Sequence, residues 1–252
     1  MRYNPKKHRL PICPAEGVLT IDKPQGWTSF DVVNFVRARF NIPKVGHCGT
    51  LDPAATGLLV LVMGKFTAVS QKLSADDKVY TGSLKLGIET DSGDMDGEII
   101  RECTPDITRE QFVEAFASFR GRQLQTPPMV SAVKVGGKKL YELARSGVEV
   151  EREPRPIEIY DIKTSRIELP ECDFTVHCSK GTYVRTLASD IGQKLNCGAV
   201  LSALRRTHAG KFTIEDAVTV DTLKTFEQPQ LKELVDKFLY EKALKIAAEA
   251  TR

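Results

Sequence analysis

The stretch Gly46-His47-Cys48-Gly49-Thr50-Leu51-Asp52-Pro53-Ala54-Ala55-Thr56-Gly57 sets one carboxylate, Asp52, in a glycine-rich segment. Its glycines permit tight turns and close approach of the backbone to a ligand. Pro53 stiffens the chain directly after Asp52. The apolar run Leu58 to Met63 then reads as a buried strand. A carboxylate on a rigid loop leading into such a strand suits nucleophilic or acid–base work. An isolated loop Asp is more often a turn former bonded to its own backbone, so the loop alone leaves both readings open. Other chemically able residues are equally ambiguous when taken singly. Tyr80 reads as a half-buried strand residue, Arg185 as a surface ion-pair partner, and His47 as a loop residue with one backbone hydrogen bond.

These residues need elements to hold them. Gly17 to Asp22 reads as a short buried strand, and Lys23-Pro24-Gln25-Gly26 as a turn. A helix starts at Thr28-Ser29-Phe30-Asp31, where hydroxyl and carboxylate have capping spacing. Val32, Val33, Val36 and Phe40 continue its apolar stripe, and Asn41 with Pro43 ends it. Residues 44–57 read as loop throughout. A short helix is expected around Thr67 to Leu73, a strand over Lys78 to Leu86 and a polar loop over Glu89 to Gly97. Thr108 opens a helix with a capping box to Gln111. Arg120 to Val135 is loop and strand, and Leu140 to Ala144 a short helix. Strands near 157–167 and 174–179 precede a helix over about 184–195. A capped start near Thr219, a linker at Gln228-Pro229-Gln230 and a mostly helical tail complete the chain, with Leu231, Leu234, Val235, Phe238 and Leu239 as its apolar stripe. Irregular interleaving of strands and helices argues for a mixed α/β (α+β) domain around one large sheet rather than regular βαβ winding.

Composition limits the function classes. With 252 residues, 41% hydrophobic and 27% charged, the chain is long enough to bury a core without staples. No apolar run reaches the ~18 residues of a membrane span, and the basic start Met1 to Arg9 lacks the apolar region of a secretory signal. A cytoplasmic protein with reduced thiols at its six cysteines is expected. Cysteines and histidines form no ligand cluster, and Ser92 to Cys103 fails as a calcium loop, so no metal is expected. The net charge of +3 is weak, but Arg120, Arg122, Lys134, Lys138, Lys139 and Arg145 face one acid, Glu142. Such segregation suits either a phosphate-binding face or a solvated surface.

The loop Gly46 to Gly57 resembles the catalytic motif G-H-x-G-T-L-D-P-x-x-T-G of the TruB family of pseudouridine synthases. Further similarities follow in family order: Lys78-Val79-Tyr80 with Gly87 to Gly97; Gln125-Thr126-Pro127-Pro128 through Lys134 to Arg145; Gly181-Thr182-Tyr183-Val184-Arg185-Thr186-Leu187; and Leu204-Arg205-Arg206 with Gly210 and Phe212. They span residues 17–213. Cys48 stands where the family usually has Thr or Ser.

The resemblance implies a pseudouridine synthase fold, with a large central, mostly antiparallel sheet flanked by helices and loops. It implies that Asp52 attacks the target uridine, at C1′ or at C6 of the base. Tyr80 would stack on the flipped base, and Arg185 would pair with Asp52 and hold it ionised. Tyr183 and Leu204 would line the pocket, and His47 would fill the space that the base leaves. Lys23 and Lys65 would serve structure or RNA contact, and Lys134, Arg145 and Arg205 would contact RNA. The implied substrate is the TΨC stem-loop of tRNA (position 55), with no cofactor, no membrane, no obligate protein partner and a monomeric state. Residues 1–16 are expected to be a basic tail and 17–217 the catalytic domain, with an RNA-binding insertion at about 122–152. Residues 218–252 would form a short helical extension, because a PUA domain does not fit the segment after Phe212. Two other roles remain open: a tRNA-folding chaperone, and the catalytic subunit of a guide-RNA complex.

Overall fold

Alternating apolar runs and capped amphipathic stripes become the following elements in a computed structural model that describes residues 10–131 and 133–236. Strand β1 (Gly17–Lys23) leads to helix α1 (Ser29–Phe40), then β2 (Val45–His47), β3 (Thr56–Met63) and α2 (Ser70–Ser74). Next come β4 (Lys78–Leu86), β5 (Ile88–Thr90), β6 (Ile99–Glu102), α3 (Arg109–Ala117) and β7 (Gly121–Gln125). The short β8 (Lys134–Val135), β9 (Lys138–Lys139) and α4 (Leu140–Arg145) precede the long β10 (Arg155–Glu168) and β11 (Glu171–Cys178). Helix α5 (Val184–Lys194), β12 (Ala199–Ala209), β13 (Phe212–Thr213), β14 (Val218–Thr219) and α6 (Val220–Thr225) follow. Residues 228–236 are helical. The fold is thus mixed α/β with a large, mostly antiparallel sheet flanked by helices. No helix among the described residues is long and apolar enough to cross a membrane.

The chain forms two compact units. The first holds the described residues up to Asp76 and those from Arg206 onward. In it β1 runs antiparallel to β3 from Gly17 opposite Met63 to Lys23 opposite Gly57, with β14 parallel on the other side of β1. Both strands are buried along nearly their whole length, as expected for strands without polar alternation. Helix α1 is fixed at its start by a complete capping box. Thr28 Oγ1 accepts from Asp31 N–H, and the Asp31 carboxylate accepts from Thr28 N–H. Such a cap contributes about 1 kcal/mol. Asn41 at φ 50° ends the helix.

The second unit holds residues Asp77–Arg205. Its strands lie in the antiparallel order β4, β11, β10, β7. Helix α3 has the predicted capping box between Thr108 and Gln111. Its Phe116 packs on Phe174 of β11, with ring centroids 5.7 Å apart. Strand β12 begins in this unit and ends in the first.

Four expectations needed correction. The 44–57 segment contains β2, paired to β3 from Val45 opposite Met63 to His47 opposite Leu61. The helix expected over Thr67 to Leu73 is a 3-10 turn over Gly64–Val69 running into α2. The polar loop after Gly87 starts as β5 and returns as β6, whose four residues are all exposed; with no buried face it shows no alternation. The linker expected at Gln228 to Gln230 is the first turn of the 228–236 helix, where Pro229 fits because its missing N–H is not needed. Glu227 N–H donates to Gln230 Oε1 there, and Gln228 Nε2 donates to the carbonyls of Pro11 and Phe40. Residues 1–9 of the basic tail, the tail stripe at Phe238 and Leu239, and the side chains of Lys134 and Arg145 lie outside the described residues.

Candidate active site

Asp52 follows a backbone segment that is tied down carbonyl by carbonyl. The oxygens of Gly49 and Thr50 accept from the Arg206 guanidinium at 3.1 and 3.4 Å, and a third donor, Nε, meets Leu58 O at 2.7 Å. Ser29 Oγ donates to Leu51 O at 3.0 Å and accepts from Leu51 N–H at 2.8 Å. Asp52 O accepts from Ala55 N–H. Pro53 O accepts from Gly26 N–H at 2.8 Å and from Lys23 Nζ at 3.3 Å. Gly49 and Gly57, at φ 102° and 98°, bound the segment in conformations that side chains rarely adopt. Beneath it, Cys48 is buried with Val18, Leu58, Val60, Val62 and Ala209. A thiol behaves there as a small apolar group, which gives a physical reason for Cys where the family motif has a hydroxyl.

Two cations sit inside this unit without solvent. Lys23 is 0% exposed and Arg206 is 1% exposed. Lys23 Nζ donates to Pro24 O, Trp27 O and Pro53 O. Burial lowers its pKa to about 8; the charge of Asp52 opposes that shift, and Arg206 adds to it. Of the two roles expected for Lys23, its burial supports the structural one. His47 is held below its ordinary pKa, first by burial and then by the Arg206 charge, while a hydrogen bond to the Gly49 backbone opposes both. His47 is therefore neutral near pH 7, and its Nδ1 is buried without a partner among the described residues. Lys65 is exposed and lies 3.5 Å from Glu16.

The second unit carries the other residues singled out. Tyr80 lies on β4 opposite Val176 and is 8% exposed. Tyr183 precedes α5, and the Gln125 side chain holds its backbone from both sides: Oε1 accepts from Tyr183 N–H and Nε2 donates to Tyr183 O. Arg185, on the first turn of α5, donates to Ser92 O and Val130 O, each at 2.8 Å, and pairs with Asp94 at 3.5 Å. Asp94 Oδ1 accepts from Ser92 Oγ at 2.6 Å. Gly93, at φ 76°, lets this turn approach α5; a Cβ there would meet Ser189 Oγ at 3.2 Å. Leu204 and Arg205 are partly exposed on β12.

From sequence, Arg205 has a role at the site, but Arg206, Ser29 and Asp94 have none. Strand alternation puts Arg206 on the face opposite Arg205, but two adjacent arginines give no sign of which is buried. Asp94 stood inside the Gly87-to-Gly97 similarity already noticed.

The family model described as "TruB family pseudouridylate synthase (N terminal domain)" matches residues 37–184, which include the whole Asp52 loop. The chain belongs to the TruB family. A second model, "tRNA pseudouridylate synthase B C-terminal domain", matches residues 185–243. Among TruB-family relatives, a protein of Opitutus terrae named tRNA pseudouridine synthase B is 50% identical over 86% of this chain and 90% of its own length. One of the same name from Alkaliphilus oremlandii is 49% identical over 84% of this chain and 71% of its own. Among solved structures, a chain of a Cbf5-Nop10-Gar1 complex superposes with TM-score 0.66 at 31% identity, covering 87% of this chain and 57% of that one. The TruB family is one of isomerases, so the chain is an enzyme of the pseudouridylate synthase class.

Proposed function

We propose that this enzyme isomerises uridine to pseudouridine in the TΨC loop of tRNA, at position 55, with Asp52 as nucleophile. The substrate rests on the relatives, several of them 47–50% identical, that carry the name tRNA pseudouridine synthase B. The chemistry rests on one observation: every carbonyl from Gly49 to Pro53 is hydrogen-bonded, so the segment bearing the Asp52 carboxylate is fixed in advance.

In this reading the target base leaves its stack, at a cost of a few kcal/mol. Stacking on Tyr80 returns about 1–3 kcal/mol, and neutral His47 fills the gap. Asp52 forms a covalent adduct at C1′ or C6, the N-glycosidic bond breaks, the uracil rotates, C5 bonds to C1′, and the bond to Asp52 is broken so that the carboxylate is free again. The C5 proton then leaves near Tyr80, and N1, freed from C1′, carries a proton in the product, so the hydrogen count is unchanged. Atoms and electrons are conserved, so the chemistry requires no cofactor. Arg185 pairs with Asp52 and favours its charged form. Tyr183 and Leu204 line the pocket, and Lys134, Arg145 and Arg205 hold phosphates. Residues 17–217 act as the catalytic domain in a cytoplasmic monomer, with 218–252 as an extension.

Incubation with unmodified tRNA transcripts, followed by pseudouridine mapping, is expected to give one product at position 55. Absence of product on several elongator tRNAs rules the substrate out. Asp52→Asn is expected to abolish turnover while RNA affinity stays within a few-fold; a variant that still turns over removes Asp52 as nucleophile. Work inside a guide-RNA particle has less support, since a chain from a solved H/ACA RNP bound to a substrate RNA is 27% identical against 50% for the Opitutus relative.

A further inference from the structure

We propose that Arg206 is a positioning residue for the reaction: its guanidinium, spread over the carbonyls of Gly49, Thr50 and Leu58, fixes the backbone on both sides of Asp52. This deepens the proposed function and rests on Asp52 being the nucleophile. Two other roles fit the geometry less well. With 1% of its surface exposed, Arg206 cannot reach RNA phosphates. As a plain stabiliser it is a poor choice, because an apolar residue of similar volume does as well or better than a buried charge. What a guanidinium offers and an apolar residue does not is a rigid fork of five donors. Three of its nitrogens meet carbonyls that lie apart in sequence, two before Asp52 and one after it. A misplacement of about 1 Å at a reacting group can cost ~10²-fold in rate. A lysine at the same place keeps the charge but gathers its donors on one atom, and so does not reproduce the separate, coplanar nitrogens that Arg206 sets against Leu58, Thr50 and Gly49.

The supporting anchors are arranged in the same sense. Ser29 fixes Leu51 through both its N–H and its carbonyl. Lys23 and Gly26 N–H fix Pro53. Arg206 holds the part of the loop before Leu51 and the start of β3, which none of these reach.

The test uses the full chain with Arg206→Lys and Arg206→Met, at a temperature where circular dichroism shows each folded. Tight binding and single-turnover isomerisation are measured separately on a tRNA transcript, and amide exchange is followed at Leu51 and Ala55. The expected result is RNA affinity within about three-fold of wild type and a single-turnover rate lowered by about 30-fold or more. Exchange at Leu51 and Ala55 should quicken while β3 stays protected. A rate within three-fold of wild type in both variants overturns the proposal. So does loss of the fold in both, since Arg206 would then serve stability alone. If the wild-type protein forms no pseudouridine, the functional reading fails instead; the positioning inference is still read from exchange, and unchanged protection at Leu51 and Ala55 overturns it.

Discussion

Lys23 carries its charge where no water reaches it, and that has consequences of opposite sign for stability and for activity. Folded Lys23 loses its proton near pH 8, whereas in the unfolded chain it does so near the ordinary value of 10.5. Between those values the unfolded chain binds the extra proton, so this residue makes stability rise with pH over that window. Below pH 8 both states are protonated and the cost of burial is fully present. Activity should move the other way. The neutral amine has one donor fewer for the carbonyls of Pro24, Trp27 and Pro53, so turnover is expected to fall above about pH 8. Urea unfolding at about pH 7.5 and 9.5, in wild type and Lys23→Met, isolates the stability effect. Equal pH slopes in the two proteins would show that Lys23 titrates normally. At this scale residue types alone left the Asp52 loop open between two readings, and only its resemblance to the family motif singled it out; its anchors were not legible at all. Lys23 and Arg206 are charged, and charged residues are read as surface unless a partner is visible; here the partners are carbonyls, which every sequence has.

The turn between β5 and β6 and the first turn of α5 form one device for aiming Arg185. The guanidinium is held by Ser92 O, Val130 O and the Asp94 carboxylate, three acceptors from two separate loops. Asp94 is in turn fixed by Ser92 Oγ and by Asp96 N–H. Replacing Asp94 with Asn removes the charge and keeps the shape. The expected outcome is turnover lowered about 10- to 100-fold with RNA affinity nearly unchanged, measured by single-turnover kinetics beside binding. Equal loss in both quantities would place Asp94 in RNA binding instead. Capped helices were readable here because Thr28 with Asp31 and Thr108 with Gln111 each satisfy two orphan N–H groups locally. Strand β6 was not, because Ile99 to Glu102 bury nothing and leave no periodic trace. Nor was the helix at 228, where Pro and Gln look like a linker until Gln228 is seen bonded to Phe40 O.

On the scale of the whole molecule, the two units are built from different stretches of chain, the first from both ends and the second from the middle. Residues 228–236 are part of the first unit's packing. Leu231 and Val235 are both fully buried, and Gln228 ties the segment to the end of α1. Leu231→Ala is therefore expected to cost about 2–5 kcal/mol, seen as a lower urea midpoint with an unchanged slope. A change below about 0.5 kcal/mol would mean the segment adds nothing to the unit. Mixed α/β class and strand-rich architecture were legible from the irregular order of elements. The partition was not, because the chain leaves the first unit at Asp76 and returns to it at Arg206, inside strand β12, and neither place has a glycine or proline to mark it.

That strand has an ambiguous phase. Slipping β12 by one residue would exchange Arg205 for Arg206, and a guanidinium would still point inward; side-chain chemistry alone does not choose between the two registers. The buried Ala209 and the pairing of β12 with β3 help to set the register, and so does the hairpin at its end, where His208 pairs with Thr213, Ala209 with Phe212, and Gly210 turns at φ 56° close against Asp76. Strand register is thus a further condition on the carboxylate loop: a slip of one residue along β12 would leave every anchor in the sequence and turn Arg206 away from the carbonyls it holds.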